Sequence, residues 1–131
     1  MHIYWQAPVS FKAVPSLQQL DEIFKGFADP TRIRILNVLA AGELCVCDIH
    51  DILDLPQSLV SRHLARLRTA GLVEVERRSQ FAHYRLAAVT DGPLQRTLIR
   101  CVKSHFNGIA DLNDERIAAE ARVAQRELDP C

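Results

Sequence analysis

No stretch of this 131-residue chain approaches the roughly 18 to 20 consecutive apolar residues of a membrane-spanning helix. The opening MHIYWQAPVSFKAVP has neither the basic start nor the apolar run of a secretory signal, so a cytoplasmic protein with no membrane partner is expected. Aromatic residues are scarce at 6%, yet hydrophobic residues make up 48%, enough for one compact domain with its own core. Net charge is absent as well, with 16 basic against 16 acidic residues, so overall charge argues neither for nor against nucleic acid. The CxxC pair of thiol oxidoreductases, the Cys-x5-Arg phosphate loop and the glycine-rich phosphate cradle are all missing, which argues against a thiol enzyme. There is no internal repeat, low-complexity tract or domain linker.

What is present is unevenly distributed. From Leu55 to Leu86 six arginines face two glutamates, a local charge of +4, while Asp111 to Pro130 carries −3. Basic charge gathered mid-chain is what a phosphate-binding face requires. The four cysteines, Cys45, Cys47, Cys101 and Cys131, read in a reducing compartment as metal ligands, redox groups or packing rather than as a disulfide framework. Two of them sit in GELCVCDIHD, which raises the question of why two thiols lie two residues apart beside a carboxylate. They are either inert small hydrophobes or a soft-ligand or redox site.

The hydrophobic period predicts a helix over LQQLDEIFKGF, capped by Ser16, and a second over PTRIRILNVLAA, with Asp29 as N-cap, Pro30 at its first position and Gly42 as its stop. CVCDIHDILDL reads as a short third helix. PQSLVSRHLARLRTAG reads as a fourth, amphipathic one, with His63 towards its apolar side and Gly71 closing it. LVEVERR and FAHYRLA, joined by Ser79-Gln80, predict a hairpin. Leu94, Leu98, Cys101, Val102, His105, Ile109 and Leu112 mark one long fifth helix, continuing into the tail. The expected division is an N-terminal arm over 1–15 held by Trp5 and Phe11, a domain over 16–112, and a helical or flexible tail over 113–131.

Helices, a hairpin, then a helix is the order of a winged helix-turn-helix: mainly α with a small β-hairpin, in the α+β class. The fourth helix then offers Gln57, Ser58, Ser61, Arg62 and Arg66 to a major groove, and the hairpin tip offers Arg77 and Arg78 to phosphate. A solvated polar face is the alternative reading of the same residues.

ADPTRIRIL, GELCVCDI, SRHLARLRTAGLV and HYRL together resemble the ArsR/SmtB family of dimeric metal- and metalloid-responsive repressors, in unbroken order across residues 17 to 87. ELCVCD is similar to the arsenic/antimony-sensing and cadmium/lead-sensing branches. The resemblance implies a homodimer paired through helices 1 and 5. It also implies operator double-stranded DNA as partner and release by arsenite or antimonite bound to Cys45 and Cys47, with no prosthetic group. Thiolates select such thiophilic species, and a helix N-terminus favours the thiolate, though Glu43 and Asp48 oppose it. On a regular helix Cys45 and Cys47 point apart, so both reach one ion only if Cys45 precedes the first turn or that turn distorts.

Departures from the family bear on the ligand. His50 stands where the arsenic branch often has a third cysteine, and an imidazole suits Zn, Cu, Ni or Cd. No cysteine precedes Cys45, unlike the cadmium/lead branch. The zinc sensors' helix-5 motif is unmatched, since Asp91 is followed by Gly92 and Pro93 and His105 stands alone. The third-ligand candidates are His50, Cys101 and Cys131. A Cd-, Pb- or Zn-responsive repressor, or a thiol-redox or reactive-sulfur sensor of the same fold, is the alternative.

Overall fold

The computed structural model describes residues 15–87 and 92–128; Trp5, Phe11, Asp91 and Cys131 lie outside them. Ser16 starts α1 (Leu17–Lys25) with a reciprocal cap: its hydroxyl accepts from the Gln19 N–H at 3.2 Å, and the Gln19 side chain accepts from the Ser16 N–H at 2.8 Å. Asp29 caps α2 (Pro30–Leu39) by accepting from the N–H groups of Thr31 and Arg32 at 2.8 and 3.1 Å, with proline at the first position as expected. Gly42 follows at φ +144°, a conformation few L residues adopt, and a Cβ there would lie 3.0 Å from Val123.

The next segment departs from expectation. Leu44–Cys45 forms a short strand, β1, which pairs with the hairpin, and α3 (Val46–Leu53) begins only after it. Asp54, left-handed at φ 55°, closes α3, and the brief Leu55-Pro56 connection leads into α4 (Gln57–Thr69). The hairpin is β2 (Val73–Arg78) and β3 (Phe81–Leu86), turning at Ser79 with φ 58°. The sheet order is β1-β3-β2, all antiparallel, so the hairpin is tied to the start of α3 through Leu44 opposite Tyr84 and Cys45 opposite His83.

The single long helix expected from Leu94 to Leu112 is two helices, α5 (Pro93–His105) and α6 (Ala110–Leu128). Gly108, at φ 90°, lies in the break, and the apolar spacing ran through it because Val102 of α5 and Leu112 of α6, both in that stripe, are both buried. Helix α6 packs on α2 and α3. One core, built around Ile35, Leu36, Ile49, Leu64 and Leu72, joins α2, α3, α4 and the hairpin.

Two polar contacts fasten the start of α6. Asn37 is fully buried on α2; its Nδ2 donates to the Leu112 carbonyl at 3.0 Å, and its Oδ1 accepts from Arg116 Nε at 3.0 Å. Arg34 donates through Nε and Nη2 to the Glu115 carboxylate, Nη2 at 2.6 Å, and also reaches the Leu53 carbonyl at 2.8 Å. Arg116→Met keeps the apolar stem but orphans the buried Asn37 oxygen. It should lower stability by about 1–3 kcal/mol, read as a lower urea midpoint at unchanged slope.

Candidate nucleic-acid interface and thiol site

Helix α4 buries Val60, Leu64 and Leu67 and turns Gln57, Ser58, Ser61, Arg62 and Arg66 outward, so its donor-rich face lies open. Between this face and the hairpin runs a cleft of about 460 Å³ whose walls include Gln57, Ser61, Arg77 and Tyr84, with Cys47 among its lining residues. A second, shallower cleft of about 450 Å³ lies along the other side of α4, between Arg32, Arg62, His63 and Arg66. Arg32 was not singled out from the sequence. It donates to the Lys25 carbonyl at 2.7 Å and through Nη1 to His63 Nδ1 at 3.2 Å, which leaves that ring nitrogen as the acceptor.

The two hairpin arginines differ. Arg77 is exposed and makes no ion pair among the described residues. Arg78 grips Glu43 through both terminal nitrogens, the second at 2.7 Å, and also donates to Glu76. Arg66 is partly engaged too, 3.8 Å from Glu22 of α1.

At the start of α3 the backbone meets one of the two conditions set for the thiols. Cys45 precedes the first turn, at φ −80° and ψ 162°, and is itself the N-cap. Its Sγ accepts from the Asp48 N–H at 3.3 Å, its S–H donates to Asp48 Oδ2 at 3.2 Å, and the Cys45 N–H donates to the same oxygen at 3.2 Å. Two arginines from α6 complete the cluster. Arg122 reaches Asp48 Oδ1 at 2.7 Å and Asp51 at 2.6 Å, while Arg126 Nη2 reaches Asp48 Oδ1 at 3.0 Å and Cys45 Sγ at 3.2 Å.

The expected thiolate-favouring helix terminus is outweighed. Burial pushes the Cys45 thiol up to about 11; the Asp48 N–H pulls it down, and the adjacent carboxylate adds to the rise. For Asp48 itself burial acts upward, but the hydrogen bonds from Arg122, Cys45 and Arg126 prevail and hold the carboxyl below its usual range. The two thiols face different surroundings: Cys45 towards α6, and half-buried Cys47 into the cleft beside α4. His50 is half-buried on α3 with no side-chain hydrogen bond among the described residues, and Cys101 is exposed on α5 rather than in this chain's core. Among the described residues no three His, Cys, Asp or Glu side chains gather to hold a metal ion. Arg122 and Arg126 are what sequence reading missed here. Their only signal was a pair of arginines spaced i, i+4 on a tail whose packing partner was unknown.

His83, opposite Cys45, is buried, and burial first, then Arg78, lowers its pKa against the pull of Glu43, with smaller opposing effects of Arg126 downward and Asp48 upward. His63 is lowered by burial and by Arg32 and Arg62, against Asp29. With folded values below the unfolded 6.5, the unfolded chain binds more protons as pH falls through that value, so stability is lost on acidification. The urea midpoint should therefore drop from about pH 7.5 to about pH 5.5, and His63→Gln with His83→Gln should shrink that drop. An undiminished drop would assign it to other groups.

Among known proteins, residues 29–75 match the bacterial regulatory proteins of the arsR family. The chain is 37% identical over 105 residues to the arsenic resistance transcriptional regulator ArsR1 of Pseudomonas putida, covering 79% of this chain and 76% of that protein. It is 46% identical over 67 residues to the arsenical resistance operon repressor of Escherichia coli, covering 50% of this chain and 57% of that one. The fold is similar to the homodimeric winged helix-turn-helix domain of Mb0332 from Mycobacterium bovis, with TM-score 0.57 and 29% identity over 72% of this chain and 81% of that one. The open donor face of α4, the hairpin across the cleft and these matches place the chain in the ArsR family of winged helix-turn-helix transcriptional regulators, which are not enzymes.

Proposed function

We propose that this protein is a cytoplasmic, homodimeric repressor that holds operator DNA with α4 and the hairpin and is released when trivalent arsenic or antimony binds Cys45 and Cys47. The observation that carries the reading is that Cys45 is the N-cap of α3, the helix on which α4 rests. Each thiol that ligates arsenite exchanges an As–O bond for an As–S bond, its proton leaving with the hydroxide as water. Cys45 then no longer donates to Asp48, and bringing Cys47 to the same atom unwinds the first turn of α3. Losing an N-cap costs about 0.5–2 kcal/mol, a range that overlaps the about 1–3 kcal/mol by which typical effectors couple two sites. His50, Cys101 and Cys131 are the candidates for a third donor.

Helix α1 exposes Leu17 and Phe24, and α5 exposes Cys101 beside half-buried Leu94 and Leu98; pairing these faces across a twofold axis covers them and suits a palindromic operator. On DNA, Gln57, Ser58, Ser61 and Arg62 meet base edges while Arg66 and the hairpin meet phosphate. The ion pairs of Arg78 with Glu43 and Glu76 make Arg77 the stronger phosphate contact.

Arg62→Ala should cost about 1–3 kcal/mol of operator binding and relax discrimination between operator variants. Arg77→Ala should weaken binding evenly and lower its salt dependence by about one phosphate, with a smaller change for Arg78→Ala. Titration of fluorescent operator duplexes reads both, and unaltered affinity in all three variants would remove this face from DNA.

Cys45→Ser and Cys47→Ser should keep operator binding yet resist release by arsenite. His50→Ala assigns the ion: loss of response to Cd(II) or Zn(II) with arsenite response retained makes His50 a ligand for a borderline metal. Release of the double serine variant at the wild-type arsenite concentration would move the sensing site elsewhere.

A further inference from the structure

Cys45 is only 2% exposed, so a ligand has no direct path to its sulfur. Of the hydrogen-bond partners of that sulfur among the described residues, the Asp48 N–H and carboxylate belong to α3 itself, and Arg126 comes from α6. The Arg126 side chain touches the sulfur and is itself 27% exposed. Beside it opens a cleft of about 360 Å³ between Gly42 and Glu43 on one wall and Val123, Arg126 and Glu127 on the other. Close packing of Val123 on Gly42 fixes the two walls. Cys45 lines neither this cleft nor the one beside α4; its sulfur is joined to this one through Arg126, whereas Cys47 lines the other.

We propose that a small, uncharged thiophilic ligand, of the trihydroxide class formed by trivalent metalloids, reaches Cys45 through this cleft, and that Arg126 is the positioning residue that closes it. The proposal rests on Cys45 being an inducer ligand. Glu43 and Glu127 beside the guanidinium present both charge signs, which leaves a neutral species unrepelled. Because no residue of α4 lines the entrance, and the hairpin reaches it only through the Arg78–Glu43 pair on its rim, the ligand enters while operator is bound. Once there it takes the place of Arg126 at the sulfur, and the end of α6 loses that contact with the start of α3.

The test uses the full chain in two single-cysteine forms, one retaining Cys45 and one retaining Cys47, each labelled with methyl methanethiosulfonate, a small neutral reagent that forms a methyl disulfide and expels methanesulfinate. In the Cys45 form, Arg126→Ala should speed labelling about tenfold, the equivalent of one charge-assisted hydrogen bond. Arg126→Lys should restore part of the protection and Val123→Trp should slow the reaction further. Arg122→Ala, which leaves the sulfur contact in place, should change the rate little. Saturating operator duplex should protect Cys47 and leave the Cys45 rate unaltered. An unchanged rate in Arg126→Ala, an equal acceleration by Arg122→Ala, or protection of Cys45 by operator would each overturn the proposal. Arsenite-driven release is measured separately: its absence with labelling as expected defeats the inducer reading and leaves the entrance standing.

Discussion

The buried carboxylate of Asp48 is the constraint on which the rest of this structure depends. With 2% side-chain exposure it has lost its water, a cost of several kcal/mol for an unpaired ion. Everything around it supplies replacement donors: Cys45 through S–H and N–H, Arg122 and Arg126 from α6. The same residue gives its own N–H to cap α3. One side chain therefore fixes where α3 begins, holds a thiol in its protonated form and fastens a helix 74 residues further along the chain. A bound ligand that changes the chemistry of Cys45 bears on all three, because they meet at one residue: Cys45 on Oδ2, the arginines on Oδ1 and the cap at its N–H.

The arginines divide into two populations, which explains how a chain of zero net charge can present an exposed basic face beside α4. Arg34, Arg78, Arg85 and Arg122 are committed to Glu115, Glu43 and Glu76, Glu74, and Asp48 and Asp51. Such pairs position elements and leave little field outside. Arg77 remains exposed on the cleft between α4 and the hairpin, and Arg62 on the second cleft, along the other side of α4. The mid-chain excess of +4 thus overstates the free charge, since Arg78 is offset by Glu43, which lies outside the counted stretch.

Helix order, the hairpin and both proline- or serine-marked caps were legible in the sequence because they are local: Ser16 with Gln19 and Asp29 with Pro30 act within one turn. Strand β1 was not, because Leu44 and Cys45 become a strand only by pairing with Tyr84 and His83. The break at Gly108 was hidden by an apolar stripe that two packed helices happen to share. At the thiol site the cysteines could be singled out, but the direction of the Cys45 shift could not, since it turns on burial by α6, and no local rule places Arg126 against a residue 81 positions away.

The attachment of α6 is graded along its length, and the gradient bears on how a signal at Cys45 travels. At its start, Arg116 is nearly buried and tied to fully buried Asn37, and Glu115 is paired with Arg34. Towards its end the anchors are Arg122 and Arg126, each about a third exposed, and Leu128 is 83% exposed. Opening free energies follow such gradients, with exposed ends yielding first. A ligand at Cys45 thus displaces the weakest part of α6 while Asn37 and Arg116 keep the helix seated on α2. The same sulfur also caps the first turn of α3, and α3 packs directly on α4, the helix proposed to face DNA.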